Sequence, residues 1–135
     1  MKKLVFILGV GPLFLLASCA SETPNNSENP ALSWQTISAT EARNIMTETD
    51  NFILLDVRTE AEFRERRIEG AVLIPYDEIK SRAETELPDK NAVILIYCRS
   101  GRRSALAAAD MAALGFANIY DFGGIIDWSY ESISG

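Results

Sequence analysis

Hydrophobic and polar positions divide the chain into three regimes. Leu4 to Ala17 are almost continuously apolar, and Ser21 to Ser33, SETPNNSENPALS, are polar and rich in Asn, Ser and Pro. From Trp34 onward, short apolar blocks of strand length alternate with stretches spaced for helices. WQTIS is a strand candidate, and SATEARNIMTE opens a helix with the capping box Ser38-x-x-Glu41. NFILLDV is apolar without alternation, which suits a strand covered on both faces. TEAEFRER repeats the capping signal as Thr59-x-x-Glu62. AVLIP is a third strand candidate, and YDEIKSRAETEL a helix that stops before Pro88. NAVILIYC is the most hydrophobic strand. It runs into the Ala-rich helix RRSALAAADMAAL, which Gly115 closes as a C-terminal cap. ANIYDF reads as the fifth strand and GGIIDWSYES as a last short helix.

Strands alternating with helices predict an α/β domain: a parallel sheet with helices on both faces. In open sheets of this kind ligands bind at the carboxyl ends of the strands. Cys98 ends the strongest strand, and Asp56 with Arg58 ends NFILLDV, so both ends are expected on one side of the domain. Alternation also places Arg66-Arg67 at the opposite end of the sheet from Cys98.

The first regime has a basic start at Lys2 and Lys3, an apolar run broken by Gly9, Gly11 and Pro12, and small residues at its close. That is the pattern of a secretory signal peptide, too short for a comfortable spanning helix. Leu16-Ala17-Ser18-Cys19 resembles the lipobox of bacterial lipoproteins, in which the thiol of the first mature residue carries diacylglycerol. The expected organisation is a signal peptide with lipobox over residues 1–19, a flexible linker over 20–33 and a single domain over 34–135. Ordinary cleavage after Ala20 is the alternative. Ala20 in place of aspartate resembles outer-membrane cargo in double-membraned bacteria, so the expected location is exported, lipid-anchored and periplasmic.

Composition narrows the chemistry. The chain has 135 residues, a net charge of −6 and no histidine. Loss of Lys2 and Lys3 takes −6 to −8. An acidic balance argues against nucleic acid as a partner. Without histidine there is no Ser-His-Asp or Cys-His pair and no histidine metal site. Of the two cysteines, Cys19 is lipidated or removed, so Cys98 has no partner for a disulfide within its own chain.

Against that acidic background, CRSGRRS sets Arg99, Arg102 and Arg103 beside Cys98. A loop closing from a strand onto a helix N-terminus offers backbone N–H groups with no partner inside the helix. Helix N-termini and arginines lower thiol pKa values from about 8.5 toward roughly 3.5–7.5. Gly101 permits the tight turn, Ser100 and Ser104 supply hydroxyl donors, and guanidinium groups suit oxyanions. The loop reads as a nucleophilic cysteine in an anion-binding cradle; the alternative is a small buried hydrophobe beside solvated arginines.

Three blocks carry a resemblance to the rhodanese (sulfurtransferase) family over residues 34 to 130: LLDVRTEAEF, IEGAVLIP, and YCRSGRRSALAAADMAALGFANIYDFGGIIDW with its Gly-Gly-x-x-x-Trp ending. The resemblance implies a three-layer α/β/α domain with a five-stranded parallel sheet ordered 3-2-4-5-1. It implies a persulfide on Cys98, formed from a small sulfur-containing anion such as thiosulfate and passed to cyanide or a thiol acceptor, with no cofactor or metal. By the same resemblance Arg99, Ser100, Gly101, Arg102, Arg103 and Ser104 shape the substrate loop. Arg103 binds the donor's sulfonate, and Asp56 with Arg58 braces the loop. Related phosphatases close a loop one residue longer than Cys98-x4-Arg103, which favours sulfur over phosphate or arsenate. A non-enzymatic binding module at the membrane is the other reading. Arg66-Arg67-Ile68 stands where the family usually has Gly-His-Ile. Arg64, Arg66 and Arg67 offer a docking patch, although interleaved Glu62, Glu65 and Glu69 make a solvated charged surface the simpler view.

Overall fold

The computed structural model describes residues 33–135. The leader with Cys19 and the linker up to residue 32 lie outside the described residues. Within them a five-stranded, all-parallel sheet has the order β1 (Gln35–Thr36), β6 (Asn118–Gly124), β5 (Val93–Cys98), β2 (Phe52–Asp56), β4 (Val72–Leu73). Counting only these five strands, that is the order 3-2-4-5-1 read from the other edge.

Helices α1 (Ala39–Glu48), α2 (Glu60–Glu65), α3 (Ile79–Glu86) and α4 (Arg102–Ala113) complete the domain. Both capping boxes form: the Ser38 and Thr59 hydroxyls accept from the N–H groups of Glu41 and Glu62, whose carboxylates reach back to the cap N–H. Gly115 lies just beyond α4 at φ +91°, the left-handed conformation that a glycine cap supplies.

Side chains along β5 alternate between two cores. Ile94, Ile96 and Cys98 pack with Ala107, Ala108 and Met111 of α4 and Ile79 and Ala83 of α3. Leu95 and Tyr97 pack on the opposite face with Ala42 of α1, Phe122, Ile125 and Trp128. This is the three-layer α/β/α arrangement.

Three features differ from the sequence expectation. GGIIDWSYES is not a helix: β6 runs through Gly124, Ile125–Asp127 form a single 3-10 turn, and β7 (Ile133–Ser134) follows. That last strand pairs antiparallel with β3 (Arg66–Arg67) in a small second ribbon. Arg66 also does not travel to the far end of the sheet. Helix α2 has only six residues, about 9 Å at 1.5 Å per residue. The short β4 pairs only with Leu55 and Asp56, at the carboxyl end of β2, so this crossover never leaves that end.

The carboxyl end of β6 is shaped to receive the Cys98 loop. The β5–β6 register slips between Ile96–Asp121 and Cys98–Gly124, a bulge that holds Gly123 at φ +86° with its N–H on the Asp121 carboxylate at 2.9 Å. Gly124 has an ordinary φ of −117°; its constraint is space. A Cβ there would stand 2.7 Å from Ser100 Cα and well inside van der Waals contact of the Arg99 carbonyl oxygen. Gly124→Ala is therefore expected to push the loop off β6 and cost about 1–3 kcal/mol, as overpacking does. Urea denaturation checks this, and an unchanged midpoint would refute the close approach.

Candidate active site

Cys98 is the last residue of β5 and is 1 % exposed. The chain turns through Arg99 and Ser100 to Gly101, whose φ of 110° and ψ of −21° start α4 at Arg102. That turn aims the Gly101 N–H at the sulfur, 3.0 Å from Sγ. The thiol donates to Ser104 Oγ at 3.5 Å, and the Ser104 hydroxyl in turn faces the carbonyls of Gly101 at 3.0 Å and Gly123 at 3.4 Å. A serine hydroxyl has one proton and two lone pairs, so once the sulfur is ionised the same hydroxyl can turn and donate to it.

Burial pushes the Cys98 thiol up, but the Ser104 hydroxyl and then the N–H groups of Ser104, Gly101 and Ser100 outweigh it and hold the thiol below its ordinary value. Guanidinium charge is not among these leading causes, although Arg103 and the Cys98 sulfur do feel each other's charge. Each loop arginine has a different surrounding. Arg99 is exposed and lines the cleft beside the loop. Arg102 lies over the Tyr76 ring at 5.9 Å from its centroid. Arg103 is clamped by Glu62 through two parallel bonds of 2.8 Å.

Glu62 was not among the residues that sequence reasoning singled out for the site. Its sequence signals, the capping box and a place among interleaved surface acids, describe roles local to α2. In the structure the same carboxylate caps Thr59 and holds Arg103, 41 residues away. The Arg103 hydrogen bonds pull its acid down to about 2 against the effect of burial, with smaller help from the Thr59 N–H and hydroxyl.

Asp56 is fully buried and Arg58 is 4 % exposed. Arg58 Nη2 lies 2.7 Å from Asp56 Oδ2, its Nε donates to both carboxylate oxygens, and its own N–H donates to Oδ1 at 3.0 Å. Burial opposes the Arg58 charge, but the Asp56 hydrogen bonds and charge more than offset it and raise the guanidinium further. Arg58 Nη2 also donates to the Arg66 carbonyl at 2.6 Å, and the guanidinium lies over the Tyr97 ring at 5.5 Å. Asp56 pairs in register with Tyr97, which faces away from Cys98. The ends of β2 and β5 thus share one end of the sheet but present Asp56 and Cys98 to opposite faces.

An open cleft of about 350 Å³ lies beside the loop, lined by Arg58, Glu62, Glu65, Arg66, Arg99, Ile125 and Ile126. Arg66, expected far from Cys98, therefore belongs to the same entrance as Arg99. Ile126 is 63 % exposed at its rim, and its N–H donates to the Arg99 carbonyl at 3.3 Å. The arrangement supplies a stabilised sulfur nucleophile, amide donors around it, and beside the loop a cleft of mixed charge with an apolar edge.

Comparison with known proteins agrees with this architecture. A family model described as "Rhodanese-like domain" matches residues 38–131. Thiosulfate sulfurtransferase PspE of Escherichia coli is 32 % identical over 81 residues, covering 60 % of this chain and 78 % of PspE. A sulfurtransferase of Allochromatium vinosum is 36 % identical over 89 residues, covering 65 % of this chain and 81 % of its own length. Among solved structures, a rhodanese-like domain protein from Staphylococcus aureus superposes with a TM-score of 0.63 at 31 % identity, covering 72 % of this chain and 93 % of that one. With the model match spanning well over half of its length, the chain belongs to the rhodanese-like family.

Proposed function

We propose that the protein is a sulfurtransferase that carries sulfane sulfur on Cys98. The observation that supports this most directly is the Cys98 sulfur facing the Gly101 N–H at 3.0 Å, with its thiol held below the ordinary value by amides and a hydroxyl. The Cys98 thiolate attacks the outer sulfur of a donor such as thiosulfate. A new S–S bond forms as the donor's S–S bond breaks, and that electron pair leaves with sulfite. The persulfide anion then occupies the loop, where N–H donors stabilise its charge. A cyanide ion or thiolate takes the outer sulfur, and the electron pair of the Cys98 S–S bond returns to Cys98. No histidine is needed, because the loop's own donors favour the thiolate and no leaving group needs a proton. Arg99 lines the entrance, and Asp56–Arg58 holds the neighbouring turn.

The reading extends to location. Cys19, with Leu16-Ala17-Ser18 before it, is the lipidation site, and residues 20–33 tether the domain to a bacterial membrane on its exported side. A lone thiol there stays functional only while a reductant or a sulfur donor keeps it from oxidation.

Intact-mass measurement of the native protein tests both parts. A diacylglycerol-sized gain at Cys19 and the gain of one sulfur at Cys98 after thiosulfate treatment are expected. Cys98→Ser should keep the lipid, lose the sulfur and form no thiocyanate from cyanide. Sulfur loading that survives in Cys98→Ser would sink the mechanism. Turnover of an aryl phosphate without sulfur transfer would favour the phosphatase reading.

The pH profile is a separate check. Ser104→Ala removes the largest contributor that lowers the thiol pKa, so that pKa must rise. Because the thiolate reacts, the rate climbs with pH through the folded-state pKa, and the acid limb of both sulfur loading and iodoacetamide alkylation is expected to move to higher pH. A limb that stays in place would show that the amides alone set the ionisation.

A further inference from the structure

Arg103 is the loop residue best placed by sequence to grip an anionic donor, yet its guanidinium is held by a carboxylate. Both parallel N–H donors end on Glu62 at 2.8 Å, and the two side chains are 17 % and 26 % exposed. A bidentate carboxylate matches the planar fork of a guanidinium and occupies the geometry a sulfonate would need. Around the cleft, Asp56 balances Arg58 and Glu62 balances Arg103, leaving Arg66 and Arg99 against Glu65. The mouth of the site is therefore much less positive than three loop arginines suggest.

We propose that Glu62 is a specificity-determining residue: by withdrawing Arg103 from the incoming donor, it biases the site toward sulfane-sulfur donors of low negative charge and against dianions such as thiosulfate. This rests on the sulfur-transfer reading above and adds the donor class to it. Glu62 also braces the loop, but a brace acts on every donor alike, whereas charge withdrawal acts in proportion to donor charge. With Arg103 paired to Glu62, a further negative charge on the donor meets only the single excess positive charge of Arg66 and Arg99 against Glu65, one less than a free Arg103 would provide.

Thiosulfate and methanethiosulfonate form a suitable pair of probes. Both present an outer sulfur on a sulfonyl sulfur, and their leaving groups are sulfite and methanesulfinate. They differ by one unit of charge. Each rate is referred to the same donor's reaction with a small free thiolate, which removes intrinsic reactivity. In the unaltered full chain at low salt, the two donors are expected to lie within about threefold of each other on this scale, the weak discrimination of a nearly balanced entrance. Glu62→Gln keeps a capping-box residue while removing the charge. It is expected to raise kcat/KM for thiosulfate about fivefold more than for methanethiosulfonate, a ratio that added salt compresses. Adding Arg103→Met to Glu62→Gln should abolish that selective gain, because the released guanidinium is its source.

An equal change for both donors in Glu62→Gln would overturn the inference and leave Glu62 as a brace only. A selective gain that persists after Arg103→Met would overturn it as well. A normalised preference for thiosulfate of about tenfold or more at low salt in the unaltered protein counts against it without any variant, so the test does not depend on the variant folding. Failure of the unaltered protein to load sulfur from either donor is a different result: it removes the sulfur-transfer reading itself.

Discussion

One sulfur atom at the tip of β5 is surrounded by hydrogen-bond donors, and the local structure is organised to keep it so. The Gly101 N–H at 3.0 Å reaches Sγ only because Gly101 takes a φ of 110°. The first turn of α4 brings the Ser104 hydroxyl and N–H to the same atom. A buried thiolate would ordinarily be disfavoured, and here donors aimed inward reverse that preference. The loop itself rests on β6, where a bulge at Gly123 and the bare Cα of Gly124 admit the Arg99–Ser100 backbone. Ionisation of one side chain thus depends on a steric allowance in a strand more than twenty residues further along the chain.

Two carboxylate–guanidinium pairs frame the loop at unlike depths. Asp56–Arg58 is almost wholly buried, and Arg58 reaches on to the Arg66 carbonyl. Removing either partner of such a pair would strand a buried charge, which is far costlier than losing a surface ion pair. Glu62–Arg103 is shallower and touches the entrance, so its energetic weight is smaller and its effect on arriving charge larger. The first pair shapes the turn beside the site, while the second ties the loop to α2 closer to solvent.

The legible parts of the sequence were those whose physics is local. NAVILIYC and NFILLDV have the unbroken apolar character of strands covered on both faces, and they became β5 and β2 at the centre of the sheet. Ser38-x-x-Glu41, Thr59-x-x-Glu62 and Gly115 are self-contained end signals, and all three formed. The order of the strands came from the family resemblance and not from periodicity. The β3–β7 ribbon escaped notice because two-residue strands have no period, and its pairing joins positions 66 residues apart or more. Arg66 was misplaced because strand-helix-strand alternation presumes a full crossover, and α2 is too short to make one. Gly124 looks like any glycine of a Gly-Gly pair until the Arg99 carbonyl is set beside it.

The loop arginines show why composition misleads at a site. An acidic chain with three guanidinium groups beside one cysteine invites the conclusion that their charge ionises the sulfur. Charge acts at a distance through a medium that screens it, whereas a hydrogen bond acts on the atom it touches. Arg102 is spent on Tyr76 and Arg103 on Glu62, and neither hydrogen-bonds the thiol. Amides and a serine hydroxyl, which carry no net charge, are the leading contributors, and Arg103 adds only through its charge. This division separates two properties that a ring of free arginines would tie together. The nucleophile's ionisation is set by the turn into α4, and the charge met by an arriving molecule is set by Glu62, Glu65, Arg66 and Arg99 at the mouth. Of these entrance residues outside the loop, Glu62 alone is tied to it, through Arg103, so it is the one position where the two properties meet.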